Sequence, residues 1–139
     1  MTAHQASAVA IDGRAVLIEG PPGSGKSGLA LALIDRGAKL VGDDGVWIEA
    51  EGTRALVSPH PRIAGLIEVR NVGLLTMPVA ARVPLALVLV LDPAAPRHVE
   101  AAEATERAGI AVPLIRLWPD SPVLALRAEL ALDRYGLPG

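Results

Sequence analysis

Gly20-Pro21-Pro22-Gly23-Ser24-Gly25-Lys26-Ser27 fits the pattern G-x-x-x-x-G-K-[ST] at every fixed position. Upstream, Ala15 to Glu19 (AVLIE) is a short apolar run that stops at Gly20, as a buried strand does on entering a loop. Downstream, Lys26 to Arg36 (KSGLALALIDR) is rich in helix formers and ends before Gly37, so the order read is strand, loop, helix. Small residues let the backbone wrap a phosphate chain and aim successive N–H groups inward, with the helix N-terminus adding a favourable dipole. Pro21 and Pro22 have no N–H, so the donors run from Gly23 through Ser27. Lys26 pairs with the β- and γ-phosphates in such a loop, and the Ser27 hydroxyl coordinates Mg²⁺. The chain has two lysines, Lys26 and Lys39, against eleven arginines, so its basic positions are nearly all Arg and a lysine here stands out. A nucleotide is the expected ligand, with a Gly/Pro turn that binds nothing as the alternative.

Further along, Lys39 to Gly42 (KLVG) leads into Asp43-Asp44. A strand neighbouring the first would bring that pair to the sheet edge where Gly20 lies and where ligands collect in α/β sheets. Phosphoryl transfer needs a carboxylate to hold the metal or deprotonate the acceptor, and this pair is the first candidate. The alternative is a plain D-D-G turn feeding a hairpin. Adjacent carboxylates repel, which favours a proton or a cation between them. Val46 to Ala50 and Arg54 to Ser58 read as the hairpin arms, Leu66 to Val72 as a half-buried strand, and Pro84 to Asp92 (PLALVLVLD) as a central strand covered on both faces. Val99 to Ala108 reads as a short polar helix, Leu114 to Leu117 as a strand, and Pro122 to Arg134 as a helix or a long strand.

The whole chain of 139 residues, on a prior of ~100–200 residues per domain, reads as one α/β domain spanning residues 1–139. Hydrophobic residues make up 51% and charged ones 20%, enough apolar material for a core. The 2% aromatic content argues against stacking platforms for single-stranded nucleic acid. A net charge of −2 with no basic run removes the electrostatic footprint of a polyanion, so no nucleic-acid partner is expected. Absence of Cys excludes disulfides and thiol chemistry. Met1 to Asp12 lacks the form of a signal peptide, and the longest apolar run, Leu85 to Leu91, is too short to span a bilayer, so the expectation is a cytoplasmic protein without a membrane partner. His60 and His98 lack metal-ligand spacing and read as solvated. Trp47 and Trp118 read as strand residues packing the core or a subunit interface, and Asp92 as a cap on the turn after the apolar strand.

These blocks together resemble the HPr kinase/phosphorylases, bacterial enzymes that phosphorylate a serine of the phosphocarrier HPr. The resemblance rests on Ala10 to Ile18 before the loop, on Gly23 to Ser27 followed by Leu33-Ile34-Asp35-Arg36-Gly37, and on the spacing from Lys26 to Asp43-Asp44. A second block, Leu66-Ile67-Glu68-Val69-Arg70-Asn71-Val72-Gly73-Leu74, is similar to the family signature of Glu, branched residue, Arg, any residue, branched residue, Gly. The likeness is good over residues 4 to 75 and weak beyond, and is that of a short form without the extra N-terminal domain.

The resemblance implies a phosphate-loop, PEP-carboxykinase-like nucleotide-binding fold, ATP and Mg²⁺, an HPr-type phosphocarrier as partner, and a homo-oligomer, a hexamer. It implies that Gly20, Gly23, Ser24, Gly25, Lys26 and Ser27 cradle the nucleotide, that Asp44 is the general base with Asp43 positioning metal or base, and that Ser27 and Glu68 hold the metal. The family's upstream His, which partners the catalytic Asp, has His4 as its candidate, one residue farther from Gly20 than the pattern; a frayed terminus is the alternative reading. Arg107 is a weak match for the family's Arg after the apolar strand. No Gly-Arg-Asn stretch stands near Pro119 to Pro122, which leaves reverse phosphorolysis open and makes kinase activity the firmer expectation. The loop after Gly73 lacks the usual Phe-Gly. Two rival readings stand beside this one, a phosphate-loop kinase of a small metabolite and a nucleotide-binding regulatory module without catalysis.

Overall fold

A computed structural model describes residues 2–139. Eleven strands and two helices follow in the order β1 (Thr2–His4), β2 (Ser7–Ile11), β3 (Arg14–Glu19), α1 (Lys26–Asp35), β4 (Lys39–Gly42), β5 (Val46–Glu51), β6 (Arg54–Pro59), β7 (Leu66–Val69), β8 (Gly73–Thr76), β9 (Val83–Leu91), β10 (Glu103–Arg107), β11 (Ile110–Leu117) and α2 (Leu124–Tyr135). This is mixed α/β architecture, as the sequence led us to expect.

Strand β9 joins two sheets. Its first residues pair antiparallel with β6, extending the β1-β5-β6 meander, and its remainder lies parallel to β3 on one side and to β11 on the other. Its unbroken apolar sequence follows from that position, because both faces are covered. One face of the sheet meets the β1-β5-β6 meander through Ala8, Ala15, Leu17, Val46, Ile48 and Val57. The opposite face carries both helices, with Val16, Ile18, Leu87 and Leu89 against Leu29, Leu33, Ala128 and Leu132. Alternation along β3 therefore sends Leu17 to one core and Ile18 to the other.

The parallel direction of β3, β9 and β11 puts their C-terminal ends at one edge. Strand β4 is antiparallel to β2, which is antiparallel to β3, so Gly42 arrives at that edge too. Gly20, at the exit of β3, has φ +156°, and a Cβ there would lie 2.6 Å from Ser24 Oγ and 3.2 Å from Leu91 O. The loop can thus turn tightly over the sheet only with glycine at this position.

The polar helix expected over Val99 to Ala108 does not form. Glu103–Arg107 is instead β10, paired antiparallel with β11 through a turn at Ala108 (φ 52°) and Gly109 (φ 77°). Glu103, Ala104, Glu106 and Arg107 are good helix formers, but pairing along the free edge of β11 and the Arg116–Glu103 bond across it, 2.8 Å long, override that local preference. Pro122 to Arg134, left between helix and strand by periodicity, contains α2. Trp118 lies just past β11 rather than in it. Among the described residues, no helix is long and apolar enough to cross a membrane.

Candidate active site

A cavity of about 650 Å³ opens at this edge, lined by the loop from Pro22 to Gly28 together with Gln5, Asp43, Asp44, Glu68 and Arg70. The sequence-predicted residues Gly23, Ser24, Gly25, Lys26, Ser27, Asp43, Asp44 and Glu68 all meet here, from three separate parts of the chain. Gly20 lies behind them at the root of the loop, where its carbonyl accepts a 2.9 Å bond from Lys26 Nζ.

Helix α1 starts after Gly25, which has φ +99° and ψ 22°, and carries no side-chain cap. Its first N–H groups therefore lack an intrahelical or side-chain acceptor and face the loop, the arrangement that suits an anion. Ser24 Oγ is buried with no hydrogen-bond partner among the described residues, a donor waiting for an acceptor inside the loop.

Across the cavity, Asp43 is 8% exposed and its carboxylate is fully engaged. Oδ1 accepts from Ser27 Oγ at 2.6 Å and from Ser7 Oγ at 3.0 Å, while Oδ2 accepts from the Glu68 amide at 3.3 Å. Asp44 follows in the left-handed region, with φ 62°, and is exposed on the cavity wall. The two carboxylates are thus divided, one inward on Ser27 and one outward. Glu68 and Arg70 enter on the hairpin of β7 and β8, a separate two-stranded sheet whose Val72 and Leu74 are 68% and 65% exposed.

A magnesium ion would find here a hydroxyl on Ser27, a carboxylate on Asp43 and a second carboxylate on Glu68. Mg²⁺ prefers that kind of site, one or two carboxylates with phosphate oxygens and waters completing the octahedron. No cluster of three or more His, Cys, Asp or Glu side chains forms an all-protein cage among the described residues.

The family model described as HPr Serine kinase C-terminal domain matches residues 1–80. The chain belongs to this family. Among curated members, the HPr kinase/phosphorylase of Exiguobacterium sp. (strain AT1b) is 45% identical over 76 residues, which is 54% of this chain and 24% of that protein. The HPr kinase/phosphorylase of Clostridium botulinum (strain Eklund 17B) is 45% identical over 69 residues, 48% of this chain and 22% of that one. These matches span about a quarter of the length of the curated relatives. A solved structure titled the Hpr(Ser) kinase/phosphatase from Coxiella burnetii matches with a TM-score of 0.84 at 27% identity, covering 96% of this chain and 95% of that chain. The likeness to HPr serine kinase domains therefore extends in structure beyond residue 80, through the part that resembled the family weakly in sequence.

Within this chain, His4 lies on β1, paired with Val46 of β5, rather than in a frayed terminus. Its ring does not bond Asp44. His4 Nε2 donates instead to Glu19 Oε2 at 2.6 Å, and Arg107 forks onto the same carboxylate, with Nε to Oε2 at 2.9 Å and Nη2 to Oε1 at 2.6 Å. The tip of the β10–β11 hairpin is thereby tied to the last residue of β3, directly before the loop. Of the remaining candidates, Asp92 caps its turn by accepting from the Ala94 amide at 2.8 Å. His60 packs edge-on against Trp47, and His98 is exposed.

Sequence reasoning missed Ser7 and Glu19. Ser7 is a lone hydroxyl in the apolar β2, and Glu19 a lone acid ending the apolar β3; a polar residue inside a buried strand is the signal that marks both.

Burial pushes the Glu19 carboxyl up, but hydrogen bonds from His4 and Arg107 and the Arg107 charge outweigh it and bring the pKa to about 2. A carboxyl held below its ordinary value contributes stability above that value and loses it as pH falls through the folded pKa. Acid should therefore weaken the fold through Glu19 between about pH 4.5 and pH 2. Urea midpoints measured across that window will fall more steeply for the wild type than for Glu19→Gln; parallel curves would show that the cluster adds no pH-dependent stability.

Proposed function

We propose that the chain, as one catalytic domain over residues 1–139 with a phosphate-loop, PEP-carboxykinase-like nucleotide fold, transfers the ATP γ-phosphate to a serine hydroxyl of an HPr-type phosphocarrier in the cytoplasm. The observation that carries this reading is the 2.6 Å bond between Ser27 and Asp43, which joins the phosphate loop to the acidic pair at a cavity also holding Lys26, Asp44 and Glu68. The family to which the chain belongs and the names of its relatives support the acceptor.

Loop amides from Gly23 to Ser27 hold the β-phosphate end of the nucleotide, and Lys26 exchanges its bond to Gly20 O for phosphate oxygens. Gly20 keeps the loop close to β9. Ser24 supplies its unpaired hydroxyl to the phosphate chain. Ser27, Asp43 and Glu68 would hold Mg²⁺, which when bound supplies charge neutralisation of the phosphate oxygens. Asp44, exposed on the cavity wall, accepts the proton of the incoming serine hydroxyl as it attacks the γ-phosphorus and ADP leaves. His4, fixed by Glu19 and Arg107, orders the strand end behind the loop.

A protein acceptor is favoured over a small metabolite by the exposed Val72 and Leu74 of the β7–β8 hairpin, whose Glu68 and Arg70 line the cavity. Exposed apolar surface of this kind also suits contacts between copies, in line with the hexamer of the family resemblance. Incubation with Mg-ATP and HPr, followed by mass-spectrometric site mapping, tests the proposal. Phosphoserine on HPr that disappears with EDTA supports it; unmodified HPr would contradict it.

A further inference from the structure

A second cavity, of about 540 Å³, opens at the C-terminal ends of β9 and β11 on the helical side of the sheet, lined by Ala95, Arg97, His98, Leu117, Trp118 and Arg127 among others. It lies on the same edge as the phosphate loop. Strands β3, β9 and β11 are successive parallel neighbours, so about 10 Å, two strand spacings, separate the loop after β3 from Trp118 after β11. In open α/β sheets the crevice beyond the carboxyl ends of the strands is where ligands extend.

Its chemistry differs from that of the first cavity. Trp118, one of only three aromatic residues in the chain, is 39% exposed, and its Nε1 donates to Ala95 O at 2.6 Å. That bond fixes the indole plane while leaving the ring open to solvent. The Arg127 guanidinium lies 5.8 Å from the ring centroid. Neither Arg97 nor Arg127 has an ion-pair partner among the described residues, whereas Arg116 is bound by Glu103 and Asp92. No carboxylate lines the cavity. A fixed aromatic plane, an apolar floor of Ile115 and Leu117, and two unpaired guanidinium groups are complementary to a flat heterocycle joined to an anion.

We infer that this cavity is the nucleoside subsite of the nucleotide whose phosphates occupy the loop: the purine stacks on Trp118, and Arg97 and Arg127 meet the ribose and the phosphate nearest it. The inference rests on the proposed nucleotide reading of the first cavity. It gives Trp118, which the sequence offered only as packing, a role in recognising the base.

Isothermal titration of the whole chain with Mg-ATP and, separately, with inorganic tripolyphosphate separates the two ideas, because tripolyphosphate has the phosphate chain and no base. Wild type should bind ATP more tightly than tripolyphosphate, and Trp118→Ala should weaken ATP roughly 5- to 150-fold, the measured range for loss of a base–aromatic stack, while leaving tripolyphosphate unchanged. Where Trp118→Ala disturbs folding, Trp47→Phe leaves Trp118 as the sole indole, and its fluorescence should change with ATP and stay constant with tripolyphosphate. Equal binding of both ligands, or a Trp118 signal indifferent to ATP, overturns the subsite and leaves the phosphate site standing. Failure of wild type to bind either ligand overturns the nucleotide reading and the subsite with it.

Discussion

Asp44→Asn should lower kcat for phosphoryl transfer about 10²- to 10⁴-fold, the contribution of a positioned general base, with nucleotide affinity close to that of the wild type. The expectation follows from how the acidic pair is divided. Asp43 is buried and already accepts three hydrogen bonds, one of them from Ser27, and in the proposed reading it fixes Ser27 and would hold the metal. Asp44 is exposed at φ 62°, a conformation that Asn adopts readily, so the substitution removes the base without straining the turn. Asp43→Asn should behave differently. Loss of that charge at Ser27 should raise the Mg²⁺ concentration needed for half-maximal activity as well as lower kcat. Steady-state kinetics at several Mg²⁺ concentrations separate the two; identical profiles for both variants would refute the division of roles.

Leu87→Ala is expected to cost about 2–5 kcal/mol, the range for a large-to-small change in a packed core. Leu87 is fully buried in the middle of β9, the strand shared by both sheets, and faces the helices with Ile18, Leu33 and Leu132 as members of the same core. No polar rearrangement can fill the space it would leave. For a domain of this size the loss lowers Tm by on the order of 10 °C, and calorimetry of the variant gives the number. A Tm equal to that of the wild type would mean that β9 does not hold the two cores together.

The parts of the site that were legible in the sequence are those carried by short contiguous patterns. The loop from Gly20 to Ser27 announces itself, because wrapping a backbone around phosphate demands particular residues at fixed spacing. Asp43-Asp44 could be placed at the same edge because β4 follows α1 in strand–helix–strand order. What closes the site comes from residues distant in sequence and carries no local pattern. Ser7 reaches Asp43 from 36 positions away, and Arg107 reaches Glu19 from 88. For the same reason β10 was misread as a helix: its composition favours helix, and only the open edge of β11 makes it a strand. The second cavity was equally hidden, since Trp118 and Arg127 come together only once α2 packs on β11.

Transfer of labelled γ-phosphate from Mg-ATP to HPr, with wild type and Lys26→Ala assayed side by side, tests the central claim most directly. Label should appear on HPr with the wild type and be lost with Lys26→Ala, which removes the ammonium that now bonds Gly20 O and in the proposed reaction turns to the phosphate oxygens. A wild-type protein that binds ATP yet labels neither HPr nor any other phosphocarrier would contradict it, and would identify the chain as a nucleotide-binding module without catalysis.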